Sequence, residues 1–409
     1  MVDIGRLLAQ RGVTVTIVTT PYNAGRVQKS VARAIESGLP IRLLQLQFPG
    51  KEVGLPDGVE NIDMLHSMED LIKFVSAANK MEEAMLKLFE KLTPRPNCII
   101  SDINLFYTRK IASKFQVPKI SFHGFCCFCL LCLRNIQSSK INETVTSDSE
   151  YFTVPGLTDK VEFTRVQLPL DNDGSWKEIF EPMWEADRAS YGVVINTFEE
   201  LESAYVKEYR KEKKAWCIGP VSLSHKDELD MAERGNKASI DGQKCLKWLD
   251  SQQPGSVIYA CLGSIGTIKC PELIELGLGL EASNKPFIWV LRGNNPTATI
   301  GGFVTHCGWN SIIEGISAGV PLITFPFMGD QFCNEKLAVQ ILKIGVNLGE
   351  HVKNAIDKLM EQGNEGTDMR KRAKELGDEA NKAVEVGGSS YMNITLLIQD
   401  ILQQSQEMR

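Results

Sequence analysis

The chain has 409 residues, 43% hydrophobic and 23% charged, with a formal net charge of −6, which is too long for one core and suggests two globular domains. The acidic balance, with no dense Lys/Arg stripe, argues against a nucleic-acid surface. The longest apolar run, nine residues from Phe125 to Leu133, cannot span a bilayer, and the opening MVDIGRLLAQRG lacks the layout of a signal peptide, so a cytoplasmic location is expected.

In chain order, residues 2–10 read as a helix closed by Gly12, and Val13 to Thr19 as a strand. A helix over about 27–37, a strand from Ile41 to Phe48 and a long helical region over 62–92 follow. Asn97 to Ser101 is a short buried strand ending at Asp102. A helix then runs to about Phe115, a strand covers Val117 to Phe122, and Phe125 onward is helical. Residues 137–190 are irregular, Tyr191 to Asn196 is a strand, and Glu199 to Lys211 is a helix. A linker rich in charge, Ser and Gly covers 223–240 and divides the chain. Beyond it come a helix at Lys244–Leu249, a strand at Ser256–Cys261 and the glycine turn Gly263-Ser264-Ile265-Gly266. A helix over Pro271–Ala282 and a strand over Pro286–Leu291 lead to the stretch at 301–331. Helices over 330–343, 351–363, 368–386 and 389–404 complete the pattern. Such alternation predicts two doubly wound α/β domains, 1–222 and 241–385, with a C-terminal helix in 386–409.

The eleven cysteines are odd in number and scattered, so no disulfide framework is expected. Cys126, Cys127, Cys129 and Cys132 lie in FCCFCLLCL without a partner pair at zinc-like spacing. They read as buried small apolar side chains, and no metal is expected.

Function concentrates in Gly301–Gln331, GGFVTHCGWNSIIEGISAGVPLITFPFMGDQ. A buried strand there meets a polar turn and an apolar-periodic helix, a corner that offers unpaired backbone N–H groups and the positive end of a helix dipole. His306, Asn310 and Ser311 add side-chain donors. A competing structural reading is a capping box, in which Ser311 and Glu314 only close the helix start. Asp102 stands past the end of a strand, where open α/β sheets hold their ligands. Its competing reading is an N-cap.

The string T-H-C-G-W-N-S with Glu314, Gly319-Val320-Pro321, Pro326 and Asp330-Gln331 resembles the sugar-nucleotide box of plant family 1 UDP-glycosyltransferases, and the resemblance extends over nearly the whole chain. It implies a GT-B fold, two Rossmann-like domains facing a cleft, with the donor held by the C-terminal domain and a small-molecule acceptor against the N-terminal one. His306, Trp309, Asn310, Ser311 and Ser264 would belong to the UDP-sugar site, with the diphosphate on His306, Asn310, Ser311 and Ser264. Glu314 would take the ribose hydroxyls, and Asp330 and Gln331 the sugar hydroxyls, Gln331 being the type associated with glucose. The implied reaction is inverting transfer from UDP-glucose to a hydroxyl of a flavonoid, terpenoid or phenolic, without metal or cofactor. Its base would be a His oriented by Asp102. An inactive remnant that at most binds UDP-sugar weakly is the alternative.

The pattern breaks in three places. The family's base His precedes the segment that here begins at Met1, and the first strand of the N-terminal domain is expected to be missing with it. The W-x-P-Q segment, whose Trp stacks on uracil, has no counterpart between Gly293 and Ile300; Trp289 belongs to a strand and does not replace it. A third loss is expected after Gly349. His123 is not the base.

Overall fold

Among the described residues, thirteen strands carry the architecture: β1 Val15–Thr19, β2 Ile41–Gln45, β3 Ile99–Asp102, β4 Lys119–His123, β5 Tyr151–Thr153, β6 Glu162–Thr164, β7 Gly192–Ile195, β8 Ala215–Cys217, β9 Val257–Cys261, β10 Phe287–Val290, β11 Ile300–Thr305, β12 Leu322–Thr324 and β13 Gly345–Asn347. The computed structural model describes residues 1–65, 67–167, 177–224, 242–263, 270–290, 300–349, 351–361 and 363–407. Ser264 and the linker residues 225–240 lie outside the described residues, as does the 291–299 side of the expected Gly293–Ile300 junction.

In the C-terminal half the strands form one parallel sheet in the order β10-β9-β11-β12-β13. Its centre reads as continuous apolar sequence because both faces are covered: every residue of β9 and β11 is buried. The chain goes from β9 outward to β10, then returns past β9 to β11, so strand order reverses between β9 and β11. Their carboxyl ends bound the crevice where open α/β sheets bind ligands.

The N-terminal half is built differently from an unbroken sheet. β3-β4-β7-β8 form one parallel sheet, β1 and β2 a separate parallel ribbon, and among the described residues no ladder joins β1 to β3. The two pieces nonetheless share their apolar layers. Val15 of β1 and Ile100 of β3 pack on one cluster, and Val18 and Ile99 on the other. All five residues of β1 are only half-buried. The faces therefore run on across an interruption in the hydrogen bonding.

Three expectations are corrected. The helical region over 62–92 is a short turn and two helices, Met68–Asn79 and Glu82–Lys91. The break has a local cause, because Asn79 Nδ2 donates to the carbonyls of Val75 and Asn104, both at 2.9 Å, and so turns the backbone aside. The helix expected over 330–343 is Asp330–Lys336 followed by a π turn at Leu337–Ile341. The irregular region 137–190 contains the β5–β6 hairpin and the helix Lys177–Arg188. The FCCFCLLCL cysteines do pack as apolar side chains, each fully buried in the helix Cys127–Ser139 or at its start.

The final helix, Ser389–Glu407, returns to the N-terminal half. Ile394, Leu397 and Ile401 join Ile4, Leu7, Ile120 and Trp216 in one cluster, and Arg210 Nη2 donates to Asn393 Oδ1 at 2.8 Å. Among the described residues no helix is long and apolar enough to cross a membrane.

The open edge of β1 has a measurable consequence. Backbone amides of Val15–Thr19 should exchange with deuterium faster than those of Ile300–Thr305, which are paired on both sides. Equal protection in the two strands would mean that another segment covers that edge.

Candidate functional site

β11 delivers the site. It ends at Thr305, whose Oγ1 accepts from the Cys307 N–H at 3.1 Å. Cys307 itself sits at φ 66°, a left-handed conformation that costs a non-glycine residue free energy and marks a constrained turn. Gly308 precedes the helix Trp309–Ser317, and no side chain caps that helix start. The capping-box reading is thereby set aside: Ser311 is the third residue of the helix and Glu314 lies one turn further on, half-buried. The helix presents its first N–H groups and its positive dipole end uncapped, as an anion site requires.

His306 stands directly before this helix. Burial pushes its imidazole down to about 4, so the ring is neutral at pH 7. Its Nδ1 is buried without a hydrogen-bond partner, an arrangement that costs free energy unless a ligand completes it. Two glycines make room for the ring. A Cβ on Gly263, which follows β9 at φ 75°, would lie 2.5 Å from His306 Cε1 and Nε2, and one on Gly308 would lie 2.5 Å from Nε2. The carboxyl ends of β9 and β11 thus meet around one imidazole, at the point where strand order reverses. Ser264, the next residue after Gly263, lies outside the described residues.

Asp330 and Gln331 open the helix that follows β12. Asp330 Oδ2 accepts from Asn334 Nδ2 at 3.0 Å, and burial raises its carboxyl to about 6. Gln331 Oε1 accepts from the N–H groups of Phe327 at 2.8 Å and Met328 at 3.2 Å. That fixes the amide and leaves Nε2 as the group it can offer a hydroxyl. Sequence reasoning missed Asn334, although its spacing of four from Asp330 puts both on one helix face.

The Trp309 side chain reaches across to the other half of the molecule. It is 2% exposed, and its Nε1 donates to the Asn196 carbonyl just past β7, at 2.8 Å. Its side chain therefore binds the other domain and has almost no surface to offer a ligand. The exposed Asn310 accepts from Asn196 Nδ2 at 3.4 Å. The carboxyl ends of the two parallel sheets consequently face each other across this seam. Asn196 was also missed, although a polar residue ending the buried run YGVVIN was a usable signal.

Asp102 lies at the same edge of the N-terminal sheet. Its Oδ1 accepts from Asn104 N at 2.9 Å and Asn104 Nδ2 at 2.8 Å. It is not the N-cap of the next helix, a position held by Tyr107. Asp102 and Asp3 are the carboxylates that act on the Met1 amine, so the start of the helix Val2–Gln10 is close by. The His–carboxylate pair among the described residues is instead His123 with Asp187, at 3.0 Å, with His123 fully buried. Burial alone would raise the Asp187 carboxyl; the His123 bond and charge, with Ser121 and Lys119, outweigh this and bring it down to about 2. A ring with no exposure cannot reach a substrate, so the pair is structural. A separate groove of about 750 Å³, lined by residues such as Phe48, Asp57, Met81 and Lys87, shares no lining residue with the β9–β11 corner.

Residues 298–370, which contain the corner, match the family model of UDP-glucoronosyl and UDP-glucosyl transferases. The chain is 50% identical to UDP-glycosyltransferase 73C25 of Barbarea vulgaris, and 49% to UDP-glycosyltransferase 73C6 of Arabidopsis thaliana, over 99% of its own length and 94% of each relative. These alignments run over 465 and 467 positions against the 409 residues here, so at least 56 positions of the relatives have no residue in this chain. Among solved structures, Glycyrrhiza uralensis UGT73P12 complexed with glycyrrhetinic acid 3-O-monoglucuronide superimposes with a TM-score of 0.89 at 31% identity, covering 99% of this chain and 93% of that one. Medicago truncatula UGT71G1 complexed with UDP-glucose shares the fold, with a TM-score of 0.77 at 22% identity, covering 98% and 94%.

Two outcomes follow from the site. Replacing Trp309 with Phe should destabilise the protein by about 1–3 kcal/mol, because it leaves the buried Asn196 carbonyl unpaired; chemical denaturation reads this. His306 folds in its neutral form, with a pKa depressed from 6.5 to about 4. Its contribution to stability is therefore full above about pH 6.5 and declines as the pH falls toward 4. An imidazole NMR signal that is absent from H306Q but titrates near 6.5 in the parent would contradict this.

Proposed function

The chain belongs to the UDP-glycosyltransferase family, and on that premise we propose that its β9–β11 corner binds UDP-glucose for transfer to a hydroxyl of a small hydrophobic plant metabolite. The single observation carrying the donor reading is the unpartnered, neutral His306 beside an uncapped helix start at the strand-order reversal. The diphosphate would lie on His306, Asn310, Ser311 and the helix N–H groups, with Ser264 from the glycine turn. Glu314 would hold the ribose hydroxyls, and Asp330 and Gln331 the glucose hydroxyls. As the bond from the anomeric carbon to UDP breaks, negative charge grows on the diphosphate. Fixed donors in a partly dry corner stabilise that charge more than they stabilise the bound donor.

The acceptor oxygen would attack the anomeric carbon from the side opposite the leaving UDP, which inverts the configuration. A base must take the acceptor proton, and Asp102 would orient that base. We place the reaction in the cytoplasm and assign the acceptor to the flavonoid, terpenoid or phenolic class.

A specific observation favours a second reading, in which the chain binds donor but turns it over poorly. No described histidine pairs with Asp102, and the β-sheet beside it is interrupted. Loss of a general base costs about 10²–10⁴ in rate.

Calorimetric titration with UDP-glucose and turnover on a panel of phenolic and terpenoid acceptors separate these readings. Binding is expected, and it should weaken about tenfold to a hundredfold in H306A. Turnover should be about 10²–10⁴ below that of a relative carrying the base. No detectable binding of UDP-glucose by folded protein would sink the donor reading. Efficient glucosylation would sink the reading of impaired turnover.

A further inference from the structure

One buried amide joins the two sides of the corner. Asn334 is fully buried and lies one turn beyond Asp330 in the helix Asp330–Lys336. Its Nδ2 donates to the Cys307 carbonyl at 2.9 Å and to Asp330 Oδ2 at 3.0 Å. Its Oδ1 accepts from Cys126 Sγ of the N-terminal half at 3.6 Å. A carbonyl and an ionised carboxylate can only accept, so the amide has one orientation, with both N–H groups spent on Cys307 and Asp330.

The bond to Cys307 acts on a peptide plane. Cys307 is left-handed, at φ 66°, and its own N–H is tied to Thr305 Oγ1 at 3.1 Å. In a trans peptide the carbonyl oxygen and the following N–H point in opposite directions. With the Cys307 carbonyl held on Asn334, the Gly308 N–H is turned away from Asn334. Gly308 is the N-cap of the helix Trp309–Ser317. It lies against the His306 ring, since a Cβ placed on it would stand 2.5 Å from Nε2. The bond to Asp330 acts on the other side of the corner, on the carboxylate assigned to the sugar hydroxyls.

We propose that Asn334 is a positioning residue for the donor: it holds the Cys307–Gly308 peptide with its N–H toward the diphosphate and the Asp330 carboxylate toward the sugar. One side chain thereby sets the spacing between the two subsites. This inference rests on the donor reading given above. Asn334 touches neither part of the donor and acts through the Cys307 carbonyl and through Asp330. Without the amide, the Cys307 carbonyl is left buried and unpaired. Turning the peptide relieves that penalty and carries the Gly308 N–H out of place. Asp330 at the same time loses the donor that fixes its carboxylate.

The test is calorimetric titration of the purified full chain with UDP and with UDP-glucose. It compares the parent with N334A, D330A and N334A/D330A, and chemical denaturation shows that each is folded. N334A should weaken UDP about threefold to tenfold, through the peptide alone. It should weaken UDP-glucose about ten times more than it weakens UDP, through the peptide and Asp330 together. D330A should weaken UDP-glucose more than UDP. In the D330A background, N334A should weaken both ligands by the same factor, because the sugar contact is already gone. Should N334A fail to fold, N334S, whose hydroxyl supplies one donor in place of two, should also weaken UDP-glucose more than UDP. An amide that only supports the fold would lower stability and weaken both ligands equally. Equal weakening of the two ligands, unchanged affinities, or fully additive losses in the double variant would overturn the proposal while leaving the donor reading intact. A folded parent that binds neither ligand would remove the donor reading, and this proposal with it.

Discussion

The bond from the Trp309 indole to the Asn196 carbonyl sets the distance on which the rest of the site depends. Trp309 begins the helix that presents its open end to a ligand, and Asn196 directly follows the inner strand β7 of the opposite sheet. A buried indole N–H and a buried carbonyl at a strand end each need a partner, and here each is the other's. Asn196 is held in turn, since its Oδ1 accepts from the Val221 N–H at 3.0 Å. The halves are therefore registered at the strand ends where both offer polar groups, and the corner around His306 inherits its position from that registration.

Burial then decides the electrostatics of the corner. It lowers the histidine and raises the aspartate, to about 4 for His306 and about 6 for Asp330. Both shifts penalise charge: at pH 7 His306 is neutral, while Asp330 remains mostly a carboxylate beside the oriented donors. The groups that would receive a ligand are already fixed: His306 between two glycines, Gln331 by two backbone donors and Asp330 by Asn334. Such fixed dipoles need little reorganisation when charge develops.

Much of this could be read in the residues. The apolar run Gly302–Thr305, the polar turn and the helix closed by Gly319 appear as β11, the loop at His306 and the helix Trp309–Ser317, because alternation of period and glycine placement are local signals. What could not be read was direction. The family resemblance put Trp309 with the donor-site residues, and no local pattern shows that its indole faces the other domain. The spacing of Ser311 and Glu314 imitates a cap, yet the helix starts three residues earlier, with Gly308 as its N-cap and Trp309 as its first residue. Asn79, Asn196 and Asn334 each also bond to a partner far away in sequence, at Asn104, Trp309 and Cys307, which no window of twenty residues contains.

The chain passes from the first half to the second after Gly219 and comes back before Ser389, so the C-terminal half is anchored at two points. A body tethered once can swivel in any direction, but one tethered twice keeps mainly the rotation about the line through its tethers. Most of the orientational freedom that two separate lobes would lose on closing around a ligand is thus already removed by chain connectivity. The entropic penalty for trapping a molecule between the halves should be correspondingly small, leaving more of the contact energy to appear as affinity.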